Sequence, residues 1–266
     1  MIRRRHGKAV RRRRWEGLQE KRSRSIFLLP SLLTTGNLFC GFLALLLTTE
    51  ARYTDAAIAI FVAMVMDLLD GRVARLMKAT SQFGVEYDSL ADVVSFGVAP
   101  AFLMYSFALS HLGRPAWFAA FLFAICGALR LARFNVFTGV ADKRFFTGLS
   151  IPAGAGVLCS SIVLVNSVAG ADAPRAVLVA MAIGTYLVAL LMVSTFKYWS
   201  FKEIGWAQRH PAQTLLVVVL GVMIVATNPE FFLFLFFVGY ALSGPARRLV
   251  VGRTAAPEPV PVKDIP

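Results

Sequence analysis

Four aspartates stand in apolar surroundings: Asp67 and Asp70 within one hydrophobic stretch, Asp88 and Asp92 at the head of the next. A carboxylate at membrane depth costs roughly 2.5–3.5 kcal/mol, so four without partners would cost on the order of 10–14 kcal/mol. Residues three and four apart share a helical face. Each pair therefore makes one prong, and two prongs meeting make an oxygen-rich cage for metal. Aspartate oxygens suit hard divalent cations such as Mg²⁺ or Mn²⁺. His6, His111 and His210 fall outside the apolar spans, which leaves no imidazole set for zinc. Two divalent ions about 3.5–4 Å apart can clamp a pyrophosphate and stabilise its leaving oxygen. Phosphoryl transfer asks mainly for positioning and charge compensation. Attack by an alcohol also needs a proton acceptor, so one carboxylate should stay clear of tight metal binding.

The elements that must position these groups are helices in a bilayer. Of 266 residues 57% are hydrophobic, and the mean hydropathy is +0.65. That is too apolar, and too poor in charge, for a soluble domain. Stretches near the 20 residues that span a bilayer as helix read at about 31–49, 54–77, 86–110, 115–137, 151–169, 175–194, 212–227 and 230–249. The expected fold class is all-α, a polytopic membrane protein of about eight transmembrane helices. A basic segment at 1–25 precedes one membrane domain at 26–250. A tail at 251–266, with Pro257, Pro259, Pro261 and Pro266, has no apolar period and reads as disordered.

The formal charge of +13 could suggest nucleic acid, but its placement argues for a membrane. Basic residues crowd 1–24 and recur at Arg75 and Lys78, at Lys143 and Arg144, at Lys197, Lys202 and Arg209, and at Arg247, Arg248 and Arg253. These are the two termini and every second inter-span segment, the pattern of cytoplasmic loops. Both ends are therefore expected inside, with the active site on the cytoplasmic side of the cell (inner) membrane. The N-terminal run gains about 1 kcal/mol per basic residue near anionic headgroups, which would concentrate an acidic lipid or simply fix topology. Cys40, Cys126 and Cys159 are odd in number and lie within spans, so they read as packing residues.

Around the aspartates, Asp67, Gly71 and Arg75 form a stripe with Asp70 and Ala74 alongside. Such a stripe admits a neighbouring helix or a flat ligand. Asn37 in the first span needs a hydrogen-bond partner; it is either glue between helices or a group facing the acidic cavity. Arg130 and Arg133 end the fourth span, where they either snorkel to the interface or form an anion site. Basic and aromatic residues from Phe196 to Pro211 read as an interfacial helix.

Read as one string, the constellation is Asp67-x-x-Asp70-Gly71-x-x-Ala74-Arg75-x8-Gly84-x-x-x-Asp88-x-x-x-Asp92. It resembles the signature of the CDP-alcohol phosphatidyltransferases at all eight fixed positions. The resemblance implies that Asp67, Asp70 and Asp88 hold the metal, two ions of Mg²⁺ or Mn²⁺, and that Asp92 deprotonates the acceptor hydroxyl. It further implies that Gly71, Ala74, Arg75 and Gly84 line the CDP-lipid pocket, and it suggests a homodimer.

The flanks 29–37, 89–101, 130–135, 146–152 and 196–202 resemble those of the bacterial CDP-diacylglycerol–serine transferases. Ser150 stands where proline is expected, and the basic N-terminal extension is longer than the common pattern; both bear on the acceptor pocket and not on the metals. The implied substrates are CDP-diacylglycerol and L-serine, among membrane lipids, with phosphatidylserine and CMP as products. A serine carboxylate suits Arg130 or Arg133, yet glycerol 3-phosphate or an inositol phosphate would want arginine too, and choline is a further rival acceptor. From another class, intramembrane aspartates also serve ion-coupled transporters. Those sites tend toward the bilayer midplane, whereas these carboxylates lie near one surface. A membrane adaptor would leave four buried carboxylates unexplained.

Overall fold

The computed structural model describes residues 31–77, 81–137, 145–170, 173–199 and 225–251, with 219, 221 and 223. Its main elements are α1 (Ser31–Thr49), α2 (Tyr53–Leu76), α3 (Gln82–Leu112), α4 (Arg114–Phe137), β1 (Phe145–Thr147), α5 (Ile151–Ala169), α6 (Arg175–Val193), β2 (Lys197–Trp199) and α7 (Pro229–Val251). Six of the helices, all but α2, hold a segment long and apolar enough to cross a membrane. The 24-residue α2 has the length, about 36 Å at 1.5 Å per residue, but carries Asp67, Asp70, Arg72 and Arg75 toward its end. The chain is an all-α polytopic membrane protein. The basic segment 1–25, the loop holding Lys143 and Arg144, most of the expected span 212–227 and the tail from 252 lie outside the described residues.

Short turns make successive helices antiparallel. Arg52 closes the α1–α2 turn, bonded to Asp55 at 2.8 Å and near Glu50 at 3.6 Å. The start of α1, the end of α2, the first half of α3 and the end of α4 consequently meet at the opposite end of the bundle. His111 falls in the last turn of α3, away from the aspartates. α4 packs on α6, while α5 packs on both α2 and α7. Ala44, Ala56, Ala57, Ala63, Ala99 and Ala119 are buried, and such small side chains let helices approach closely where lipid offers no hydrophobic drive.

Two departures from regular helix bear on function. The first is in α3, which widens into a π-helical turn over Val93–Val98 directly after Asp92. Pro100 follows in the next α-helical turns. Its ring crowds the carbonyl four residues back and it donates no N–H, and a wider turn relieves both. The second corrects the expectation of an interfacial helix from Phe196. Lys197–Trp199 is instead a strand, antiparallel to β1, with Phe145 opposite Trp199 and Thr147 opposite Lys197. Aromatic side chains favour the pleated conformation, and α4 and α6 deliver the two segments to the same end of the bundle. The Gly148 N–H donates to the Phe196 carbonyl at 2.8 Å, and the Leu149 N–H to that of Leu191 at 3.0 Å, tying the ribbon to α6. The rest of the expected interfacial helix lies outside the described residues.

Candidate active site

The two acidic prongs meet. One carboxylate oxygen from each of Asp67, Asp70 and Asp88 lies within 4.8 Å of the others. Asp70 is buried, and Asp67 and Asp88 are half-buried. Asp88 Oδ1 is buried without a hydrogen-bond partner. A buried polar atom left unpaired calls for an explanation, and a carboxylate oxygen beside two further carboxylates is explained by a cation. Three such oxygens of a hard donor type fit Mg²⁺ or Mn²⁺.

Asp92 sits one turn beyond Asp88 and is 8% exposed. It is outside the three-carboxylate group, and its Oδ1 accepts from Asn37 Nδ2 at 3.1 Å. Thr34, three residues earlier on the same face of α1, donates from Oγ1 to Asp70 Oδ2 at 3.0 Å. One face of α1 thus fixes a carboxylate on each prong, Asp70 on α2 and Asp92 on α3. The anchoring runs both ways, because Ser95 Oγ donates to the Asn37 carbonyl at 3.0 Å from within the π turn. One turn further along α1, a Cβ on Gly41 would overlap the Ser95 side chain and backbone. Only glycine lets α1 lie this close to the turn.

The remaining sequence candidates fall into place unequally. Asn37 is 0% exposed and spans α1 to α3 through its amide on Asp92, a position compatible with both readings, glue between helices and a group beside the aspartates. A Cβ on Gly71 would meet nothing within 4 Å among the described residues. Ala74 is half-buried beside it, and Arg75 folds back, donating from Nε to the Gly71 carbonyl at 2.8 Å. Gly84 lies in the first turn of α3, where its N–H donates to the capping Ser81 Oγ at 3.0 Å. Its place here is a helix cap.

Arg130 is half-buried, with Asp92 and Tyr240 near enough to act on its charge, and its Nε has no hydrogen-bond partner. Arg133, one turn on, is exposed. Arg130 therefore lies within electrostatic reach of Asp92, while Arg133 is exposed. Asn135 Nδ2 donates to Ser89 Oγ at 2.9 Å, joining the end of α4 to α3.

Sequence reasoning missed Thr34 and Ser95. Thr34 had a usable signal, because it lies three residues before Asn37 and shares its helical face.

Comparison with known proteins matches residues 27–190 to the CDP-alcohol phosphatidyltransferase family. A Helicobacter pylori protein named CDP-diacylglycerol–serine O-phosphatidyltransferase is 34% identical over 224 residues, 84% of this chain and 92% of the relative. A Bacillus subtilis protein of the same name is 35% identical over 187 residues, covering 70% of this chain and 95% of the relative. One from Methanocaldococcus jannaschii is 40% identical over 175 residues, 66% of this chain and 75% of the relative.

Proposed function

Because the chain belongs to the CDP-alcohol phosphatidyltransferase family, we propose that it transfers the phosphatidyl group of CDP-diacylglycerol to the hydroxyl of L-serine, giving phosphatidylserine and CMP. The observation that carries this reading is the acidic site itself, three converging carboxylates with a fourth held apart by a buried amide. The serine acceptor comes from the names of the relatives, while Arg130 within electrostatic reach of Asp92 suits any acidic acceptor. Ion-coupled transport loses its support with the family assignment.

Asp67, Asp70 and Asp88 are the residues that would hold divalent metal, two ions in our reading, either Mg²⁺ or Mn²⁺. When bound, the metal neutralises the pyrophosphate and its leaving oxygen. Gly71, Ala74 and Arg75 border the CDP moiety, with Gly84 at the mouth of α3. Asn37 turns Asp92 so that Oδ1 is occupied and Oδ2 is left to take a proton. The serine oxygen forms a bond to the phosphorus that bears diacylglycerol. Its proton passes to Asp92, and the bond to the CMP phosphate breaks with its electron pair on CMP. Arg130 receives the serine carboxylate in a fork of N–H donors, and Arg133 at the rim attracts anions toward it. The alternating Lys and Arg content of the loops supports a site on the cytoplasmic face of the cell membrane. A homodimer accompanies the family reading.

The test is CMP release by purified protein supplied with CDP-diacylglycerol, Mn²⁺ and labelled L-serine. We expect release that needs both serine and metal, with the label in a lipid. Equal turnover with glycerol 3-phosphate or an inositol phosphate would replace serine as the acceptor, and no release with any alcohol would end the proposal.

A further inference from the structure

We infer that Ser95, in the π turn of α3, is a positioning residue for the transfer reaction: it sets the backbone of Asn37, and through it the amide that holds Asp92. The inference deepens the reading of Asp92 as proton acceptor given above, and rests on it.

Hydroxyls in the spans commonly bond within their own helix. Thr35 donates to the Ser31 carbonyl at 2.7 Å, Thr48 to that of Ala44 at 2.7 Å, Ser89 to that of Val85 at 2.9 Å and Thr185 to that of Met181 at 2.8 Å. The carbonyl one turn back is the ordinary acceptor for such a side chain. Ser95 departs from this habit. Its Oγ reaches across to α1 and donates to the Asn37 carbonyl at 3.0 Å, and the residue is 0% exposed. Secondary structure does not ask for that bond. Inside α1 the Asn37 carbonyl already accepts from the N–H of Gly41, four residues on. A carbonyl oxygen has two lone pairs, and Ser95 takes the second. What the hydroxyl adds is therefore position. The approach depends on Gly41 as well, since a Cβ there would overlap Ser95.

The side chain of Asn37 makes position matter. Nδ2 donates to Asp92 Oδ1 at 3.1 Å, whereas the amide Oδ1 is buried with no hydrogen-bond partner. The amide thus has one tether at its tip, and its distance from Asp92 follows the backbone of residue 37. At 3.1 Å the bond is near the long end of the N–H···O range, so a retreat of α1 by roughly 0.5 Å would end it. Asp92 and Ser95, three residues apart on α3, grip Asn37 at both ends, one by its amide and one by its carbonyl. Two bonds to one residue fix what a single bond leaves free to pivot.

The test is a double-mutant cycle on the full chain: wild type, Ser95→Ala, Asn37→Ala and the pair, in CMP-release kinetics with CDP-diacylglycerol, Mn²⁺ and L-serine. Rates are expressed per site that binds CDP-diacylglycerol in the presence of metal, so misfolded protein drops out of the comparison. For Ser95→Ala we expect kcat to fall about fivefold, as for loss of one neutral hydrogen bond, with the CDP-diacylglycerol KM unchanged. In the Asn37→Ala background, where no amide is left to place, the same substitution should change kcat by less than about twofold. An equal fall in both backgrounds overturns the inference, because Ser95 then acts independently of Asn37, as a purely structural serine would. Wild-type kcat in Ser95→Ala overturns it too. So does wild-type kcat in Asn37→Ala, which leaves nothing for Ser95 to act through. Failure of the wild type to release CMP with any alcohol is a distinct result, which ends the functional reading and with it the role of Ser95.

Discussion

Replacing Asn37 with alanine asks whether Asp92 must be held to work. The bond at stake joins an amide with no exposure to a carboxylate only 8% exposed, at 3.1 Å. A hydrogen bond to a charged group contributes about 1.5–3 kcal/mol, and about 1.36 kcal/mol is tenfold in rate. If the bond acts in the transition state, kcat should fall about 10- to 150-fold. Ser95 bonds the backbone carbonyl of residue 37 rather than its side chain, so that link between α1 and α3 survives the substitution. Metal-dependent binding of CDP-diacylglycerol should stay within about twofold of wild type, because Asp67, Asp70 and Asp88 are untouched. Initial rates of CMP release against each substrate, with binding measured separately, give both quantities. Asp92→Asn sets the floor, where loss of a general base costs about 10²–10⁴ in rate. A kcat for Asn37→Ala equal to wild type, or a loss confined to CDP-lipid binding, would refute the reasoning.

Two further substitutions probe the same face of α1. Thr34→Val removes the donor to Asp70. Partners of metal ligands are worth about 10- to 100-fold in metal affinity, so the Mn²⁺ concentration for half-maximal rate should rise by about tenfold or more, with the serine KM unmoved. Gly41→Ala forces a methyl group into Ser95; overpacking costs about 1–3 kcal/mol, and a lowered thermal midpoint together with reduced kcat is the expected result. A midpoint equal to wild type would show that α1 can shift away from the turn.

The helices were legible because their cause is local. A span announces itself by length and hydropathy, and the carboxylates by their cost in such a span. The three-and-four spacing within Asp67–Asp70 and within Asp88–Asp92 gave the shared face of each pair as well, since the period of a helix fixes which side chains lie together. Two things were illegible. The strand Lys197–Trp199 depends on pairing with residues some fifty positions earlier, and its basic and aromatic content suits an interface helix equally well. The connections Thr34–Asp70 and Asn37–Asp92 join separate helices. Sequence shows that Asn37 needs a partner, and only tertiary packing chooses it.

The π turn after Asp92 makes the site sensitive to chain length in a way that it is not to composition. Such a turn carries about one residue more than an ordinary helical turn. Because Pro100 still demands the wider winding, deleting any residue of Val93–Val98 would make the wide turn re-form one residue earlier and rotate everything before it by about 100° relative to everything after. With the later part of α3 seated among α4, α5 and α6, Asp88 and Asp92 would swing off the axis they share with Asp67 and Asp70. Homologous chains should therefore vary the side chains of this hexapeptide more freely than its count.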